Sequence, residues 1–253
     1  MTSAPPHRRA SPRFGAALLA LVAVVGAACG DDTPAQPSST TIPDPGTIPD
    51  EHGLSDALAA RVIASTVGID GVACGRLASG SGFALTDTLI VTNAHVILGI
   101  EEIRVHTLDG RELIGVPVAF DPDADLTILE VPDADLEPLP LTNNAPEGST
   151  GMLVGWESGP SADPTPYRVD RRVTVRIETV GGTERIERPA WLVAADVDVG
   201  DSGAPLIDRT GEVIGVAFAT STEGGGVGYA VRSSAIEDLL ARGLDDNLTI
   251  PPC

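Results

Sequence analysis

Three stretches of this chain carry residue types that do chemistry together. In Gly200-Asp201-Ser202-Gly203-Ala204-Pro205-Leu206 a serine stands between glycines and is followed by an apolar run. In Thr92-Asn93-Ala94-His95-Val96 a histidine follows a β-rich run, and in Asp123-Ala124-Asp125-Leu126-Thr127-Ile128-Leu129 acids precede one. A serine hydroxyl is a weak nucleophile at neutral pH. It needs a base to take its proton and donors to hold the charge that develops on the attacked carbonyl. His95 offers the base, and an acid beside it would fix the imidazole tautomer. Gly200, having no Cβ, can take a backbone geometry that points its own N–H and that of Ser202 into one small space, an oxyanion hole. The chemistry expected is acyl transfer.

Each role has competitors. Of the four histidines, His7 and His52 fall in segments not expected to fold, and His106 sits in the alternating run Ile103–Thr107 as an exposed strand position. Asp121, Asp123 and Asp125 compete for the acid. Asp125 directly precedes an apolar strand, where its carboxylate can be drawn inward, and Asp123 is the reserve.

Strands must position these loops. Short β-rich runs alternate with Gly, Pro and Asp turns at 66–69, 82–85, 89–92, 103–107, 113–120, 126–131, 152–156, 168–179, 191–195, 205–207, 213–220 and 227–231. About a dozen strands with no long helix between them predict an all-β antiparallel sandwich or barrel. Pro138–Gly148, polar and Pro-containing, is the expected crossing between two halves. A short helix is predicted over 55–64, capped by Ser55, and another over 234–242, opened by a capping box at Ser234 and Glu237 and stopped by Gly243.

T-N-A-H-V, D-L-T-I-L and G-D-S-G-A-P-L, in that order, resemble the three signatures of the trypsin-like (chymotrypsin-fold) serine proteases. Within that superfamily the chain is most similar to the bacterial HtrA branch and to actinobacterial MarP-like membrane proteases. Cys74-Gly75-Arg76, Gly80-Ser81-Gly82-Phe83 and Gly226-Val227-Gly228-Tyr229-Ala230-Val231 carry that similarity, which covers residues 60 to 253. The resemblance implies two six-stranded antiparallel β-barrels, lobes at 65–140 and 148–232, with the catalytic groups in the cleft between them. It implies a serine endopeptidase in which His95, Asp125 and Ser202 form the triad and the N–H groups of Gly200 and Ser202 the oxyanion hole. No cofactor is implied, no metal site is indicated by the few scattered His and Cys residues, and the partner would be a peptide or protein substrate. A protease fold serving mainly as a chaperone or binding module is the alternative. An α/β-hydrolase would run Ser, acid, His, with G-x-S-x-G between strand and helix; the histidine comes first here, and Ala204 breaks the pattern.

Some positions depart from the family or add to it. Ala204 replaces the second glycine of the usual G-D-S-G-G-P. Asp201 resembles the residue that pairs with a freshly cut N-terminus in secreted zymogens, yet no activation site is recognisable. Asp196, six residues before the serine, stands where enzymes that cut after Arg or Lys carry an acid, although Ala195–Val199 alternates as if showing acids to solvent. Gly225 and Gly226 are candidates for an open wall of the substrate pocket, or for an ordinary glycine-rich hairpin. Similar positions in MarP-like proteases imply a disulfide between Cys74 and Cys253. Neither the PDZ domain of HtrA proteins nor the membrane spans of MarP-like ones is expected.

Residues 1–28 read as an export signal, with Arg8, Arg9 and Arg13 before an apolar run too short to span a bilayer comfortably. The small residues before Cys29 resemble a lipoprotein signal in which that cysteine is lipidated, ordinary cleavage after Ala28 being the other reading. Residues 29–53, rich in Pro, Thr, Ser, Asp and Gly, are expected to be a disordered tether, and 54–253 the folded domain. The location expected is the outer face of the cytoplasmic membrane or the exterior, and the state favoured a monomer. The 16 basic residues are all Arg and the net charge is −20, which argues against nucleic acid. Aromatics make up only 3% of the chain, so aliphatic side chains must fill the core.

Overall fold

A computed structural model describes residues 44–156, 162–220 and 225–252. The expected export signal, most of the tether, Cys29 and Cys253 lie outside the described residues. Helix α1 (Asp56–Ala64) comes first, its cap being Ser55, whose hydroxyl accepts the Leu58 N–H at 3.4 Å. Among the described residues twelve strands follow. Those of the first half are β1 (Thr66–Ala73), β2 (Arg76–Ala84), β3 (Leu89–Thr92), β4 (Ile103–His106), β5 (Glu112–Asp121) and β6 (Leu126–Glu130). Those of the second are β7 (Thr150–Trp156), β8 (Ala162–Glu178), β9 (Arg185–Ala194), β10 (Pro205–Asp208), β11 (Val213–Thr220) and β12 (Gly228–Arg232). A single turn of helix, α2 (Ala94–Ile97), lies between β3 and β4, and α3 (Ser233–Ala241) follows β12.

Each half closes on itself. The first barrel runs β1-β2-β3-β6-β5-β4 and the second β10-β11-β12-β9-β8-β7, with antiparallel pairing throughout. Closure removes exposed strand edges. The chain is therefore all-β with two six-stranded barrels, as the resemblance implies. Alternation along the strands sends aliphatic side chains inward. Val67, Ile69, Ile90, Val105 and Leu129 fill the first barrel; Tyr167, Val169, Trp191, Val193 and Leu206 fill the second. A third cluster joins the halves: Phe83, Val91 and Leu126 of the first barrel pack with Met152, Ile207 and Phe218 of the second. Val62 of α1 and Ile236 and Leu239 of α3 cap it.

Two expectations need correction. The tether was expected to run to residue 53, but the chain packs from Pro45 onward. Pro45 is buried and its carbonyl accepts Arg168 Nη2 at 2.7 Å, Ile48 sits beside Gly226, and Leu54 enters the shared core. Pro45 and Ile48 have partners on the second barrel that lie far away in sequence. The capping box at Ser234 does not form either. The helix starts one residue earlier, after Arg232, with no side-chain cap. Ser233 gives its hydroxyl to the Val213 carbonyl at 2.6 Å, and Glu237 instead accepts Asn143 Nδ2 at 2.8 Å.

Candidate active site

His95 lies in α2, directly behind β3. Its N-cap residue, Asn93, makes no capping bond; its side chain is turned so that Nδ2 donates to the Asp125 carbonyl at 2.8 Å. Asp125 stands at the start of β6 with φ +58°, a left-handed conformation rare for a side-chain-bearing residue. Its carboxylate is 3% exposed and faces His95: Nδ1 lies 2.8 Å from Oδ2, and the His95 backbone N–H donates to Oδ1 at 3.0 Å. A ring nitrogen against a carboxylate is the protonated one, which leaves Nε2 as the base. The imidazole is 37% exposed, open to a reactant.

The neighbouring acids do other work. Asp121 Oδ1 accepts the backbone N–H groups of Asp123 and Ala124, both at 2.9 Å, and so shapes the loop. Burial pushes the Asp121 carboxyl up, but Arg242 and the Ala124 amide more than offset this and hold it below its ordinary range. Asp123 accepts the Thr179 hydroxyl at 2.7 Å. Of the three acids, Asp125 is the one whose carboxylate meets His95.

The Ser202 loop reaches the same place from the second barrel. Its carbonyl accepts the Ser81 N–H of β2 at 2.7 Å, and the Ser81 hydroxyl donates to the Gly200 carbonyl at 2.7 Å while accepting the Trp156 N–H. At Gly80 the loops of His95 and Ser202 converge: a Cβ there would fall 2.7 Å from Val96 and 2.8 Å from the Ser202 carbonyl. Gly203, with φ +90°, admits no side chain, since a Cβ would lie 2.0 Å from the Ser81 carbonyl and 2.4 Å from Thr92 Oγ1. Gly200 also has positive φ, +112°. The amides of Asp201, Gly203 and Ala204 donate to the carbonyls of Asp198, Ala217 and Asp201. Among the described residues no protein acceptor meets the amides of Gly200 and Ser202. The Asp201 carboxylate turns back on its own loop, accepting the Asp198 N–H at 2.8 Å and lying against Gly155. A cleft of about 350 Å³ lined by Ile69, Leu77, Gly80 and Trp156 opens beside the loop.

The other candidates are dispersed. Asp196 and Gly225 are exposed; Gly226 is half-buried, its outer side covered by Ile48 and its carbonyl accepting the Ala195 N–H at 3.3 Å. His106 is half-buried rather than exposed, with Nε2 on Asp70 at 2.9 Å.

One residue escaped sequence reasoning. Arg188 of β9 is 2% exposed, and its guanidinium lies over the Phe218 ring, 4.9 Å from the centroid. Nη1 is 3.4 Å from Asp125 Oδ2, and Nε donates to the Asp123 carbonyl at 2.8 Å. Burial pulls the guanidinium below its usual value, opposed by Asp125, Asp121 and Asp123. The signal was its phase: Ile186, Arg188 and Ala190 share the side of β9 opposite Trp191 and Val193, so the arginine falls on the face that meets the core shared by the two halves.

Comparisons with known proteins agree with this geometry. Residues 80–216 match the trypsin-like peptidase domain. The serine protease Rv3671c of Mycobacterium tuberculosis is 31% identical over 215 residues, covering 82% of this chain and 53% of that protein. A probable periplasmic DegP-like serine endoprotease of Halomonas elongata is 35% identical over 179 residues, covering 68% of this chain and 35% of that protein. The crystal structure of the active form of the M. tuberculosis Rv3671c protease superimposes with a TM-score of 0.76 at 27% identity, covering 86% of this chain and 98% of that one. The chain spans about half the length of the first of these relatives and about a third of the second. The sequence signatures, the paired barrels and these similarities together place the chain in the trypsin-like serine peptidase family, on its HtrA/MarP-like side.

Proposed function

We propose that the chain is a serine endopeptidase that hydrolyses peptide bonds through an acyl-enzyme. The observation that carries this reading is the His95 Nδ1 to Asp125 Oδ2 contact at 2.8 Å beside the Ser202 loop. His95 Nε2 takes the Ser202 proton as Oγ attacks the peptide carbonyl, then returns it to the leaving amine. Asp125 holds the tautomer and stabilises the imidazolium. The N–H groups of Gly200 and Ser202 hold the oxyanion. Water then releases the acyl group by the same steps.

Export and tethering through lipidated Cys29 belong to this proposal, supported by the Arg-rich, apolar and small-residue pattern of residues 1–28. Among the described residues no helix is long and apolar enough to cross a membrane. A Cys74–Cys253 disulfide belongs to it too. It is supported by Pro251 and Pro252, just before Cys253, which line one cleft with Cys74. The exposure of Asp196 gives no support to a preference for basic residues.

Incubation with an unfolded, carboxymethylated protein, with new N-termini read by mass spectrometry, tests the activity. Wild type should generate them and a folded Ser202→Ala variant should not. Equal cleavage by both would remove the assignment.

A further inference from the structure

We propose that Arg188 is a positioning residue for the acid of the triad: from the second barrel it clamps the loop of the first barrel that presents Asp125 to His95. This rests on the reading of His95, Asp125 and Ser202 as the catalytic set.

The clamp has three points. Nε donates to the Asp123 carbonyl at 2.8 Å, Nη2 reaches the Pro122 carbonyl at 3.4 Å and Nη1 reaches Asp125 Oδ2 at 3.4 Å. A planar fork with fixed N–H directions meets three acceptors at once, which a lysine ammonium on a flexible stem does not. Phe218 supports the guanidinium from below, and at 2% exposure water does not compete. The β8–β9 hairpin adds two bonds to the same loop, Val180 N–H to the Pro122 carbonyl at 3.1 Å and the Thr179 hydroxyl to Asp123.

The carboxylate needs aiming. Like the exposed Asp133 and Asp135, Asp125 sits at positive φ, +58° here, a left-handed conformation that aspartate tolerates, so bonds from its neighbours set where its carboxylate points. Asn93 and the His95 amide hold it from within the first barrel, and Arg188 is the side chain that holds it from the second. The carboxylate is thereby fixed relative to both lobes, and the geometry on which proton transfer depends is tied to the packing of one barrel against the other.

The contact is also electrostatic. A guanidinium on Asp125 Oδ2 competes with a charged imidazole ring for the same oxygen, so removing it strengthens the hold of the carboxylate on the ring. The other ionisable groups around the cluster are Asp121, paired with Arg242 at the C-cap of α3, Asp123, Glu187, Arg232 and Asp238, which line the cleft behind it. None of them changes in the variants below.

The test uses the full exported chain as wild type, Arg188→Met and Arg188→Lys. Two quantities are read: the rate of Ser202 labelling by a fluorophosphonate across pH, and the titration of the His95 imidazole by NMR. Thermal unfolding and near-UV circular dichroism check folding. In Arg188→Met, labelling at neutral pH should slow by roughly 10- to 100-fold, the loss a small misplacement of a catalytic group produces. The acid limb of its profile and the His95 pKa should both move to higher pH. Arg188→Lys keeps the charge without the fork; it should stay about 10-fold slow or more, with its acid limb close to the wild-type position. A folded Arg188→Met that labels within about twofold of wild type, with His95 titrating unchanged, overturns the proposal. A folded Arg188→Lys as fast as wild type does so too, and stands in if the methionine variant fails to fold. Failure of wild type to label at Ser202 would strike the triad reading, while the His95 titration would still decide the role of Arg188.

Discussion

The two loops that meet at this site hold unusual backbone in opposite ways. The acid loop of the first barrel keeps a side-chain-bearing residue, Asp125, at φ +58° and secures it with bonds from Asn93, the His95 amide and Arg188. The Ser202 loop of the second barrel uses residues without side chains, Gly200 and Gly203, at φ +112° and +90°, and is pinned by bonds to Ser81. One loop is held by contacts that can be removed one at a time. The other is held by space that must stay empty. Changes in the first should give graded losses, and changes in the second should be abrupt.

Gly203→Ala breaks the comparison hardest. The added methyl would meet the Ser81 carbonyl at 2.0 Å and Thr92 Oγ1 at 2.4 Å. Neither backbone nor buried hydroxyl can give way by that much. We expect a loss of stability on the order of 3–5 kcal/mol and no labelling of Ser202, measured by chemical denaturation and probe attachment.

Asp125→Asn tests the acid itself. Its amide would favour the wrong imidazole tautomer, and the expected fall in turnover is on the order of 10⁴-fold with the fold retained. Rates on a peptide library before and after the change check it.

Asn93→Ala removes one of the three holds on Asp125, the 2.8 Å bond to its carbonyl. The buried carbonyl loses its donor, so the expected cost is about 1–3 kcal/mol, with labelling slowed but not abolished. A loss as abrupt as that of Gly203→Ala would erase the distinction between the loops.

The smallest effect is expected at the rim of the acid loop. Asp121 is held below its ordinary range despite its burial, by Arg242 and by the Ala124 amide. A depressed carboxyl stabilises the fold above its unfolded pKa, about 3.9, and the gain fades as pH falls through the lower folded value. Arg242 is half-exposed, so Arg242→Ala should cost about 0.2–1 kcal/mol at neutral pH. Urea unfolding at neutral pH and near pH 3 should show the difference between the two proteins shrinking toward acid.

The fold was legible because closed barrels alternate inward and outward residues. The runs from Leu89 to Thr92 and from Val213 to Thr220 coincide with β3 and β11. The site loops were legible because an unusual backbone demands unusual residues, and glycines around a serine show it directly. What stayed hidden depends on distant pairs. Arg188 and Asp125 are 63 positions apart and belong to different barrels, so nothing local marks their contact. Pro45 and Arg168, 123 positions apart, turn a stretch with linker composition into part of the second barrel's surface. Helix α2 is four residues long, too short for a periodic pattern, and its N-cap asparagine serves Asp125 instead of the helix.

The most direct measurement of the central claim is fluorophosphonate labelling of the purified chain as wild type, Ser202→Ala and His95→Ala. An assembled nucleophile gives one adduct per wild-type chain, on Ser202, with none in the serine variant and a rate reduced by several orders of magnitude in the histidine variant. Labelling that persists in folded Ser202→Ala, or that proceeds at the wild-type rate in His95→Ala, would contradict it.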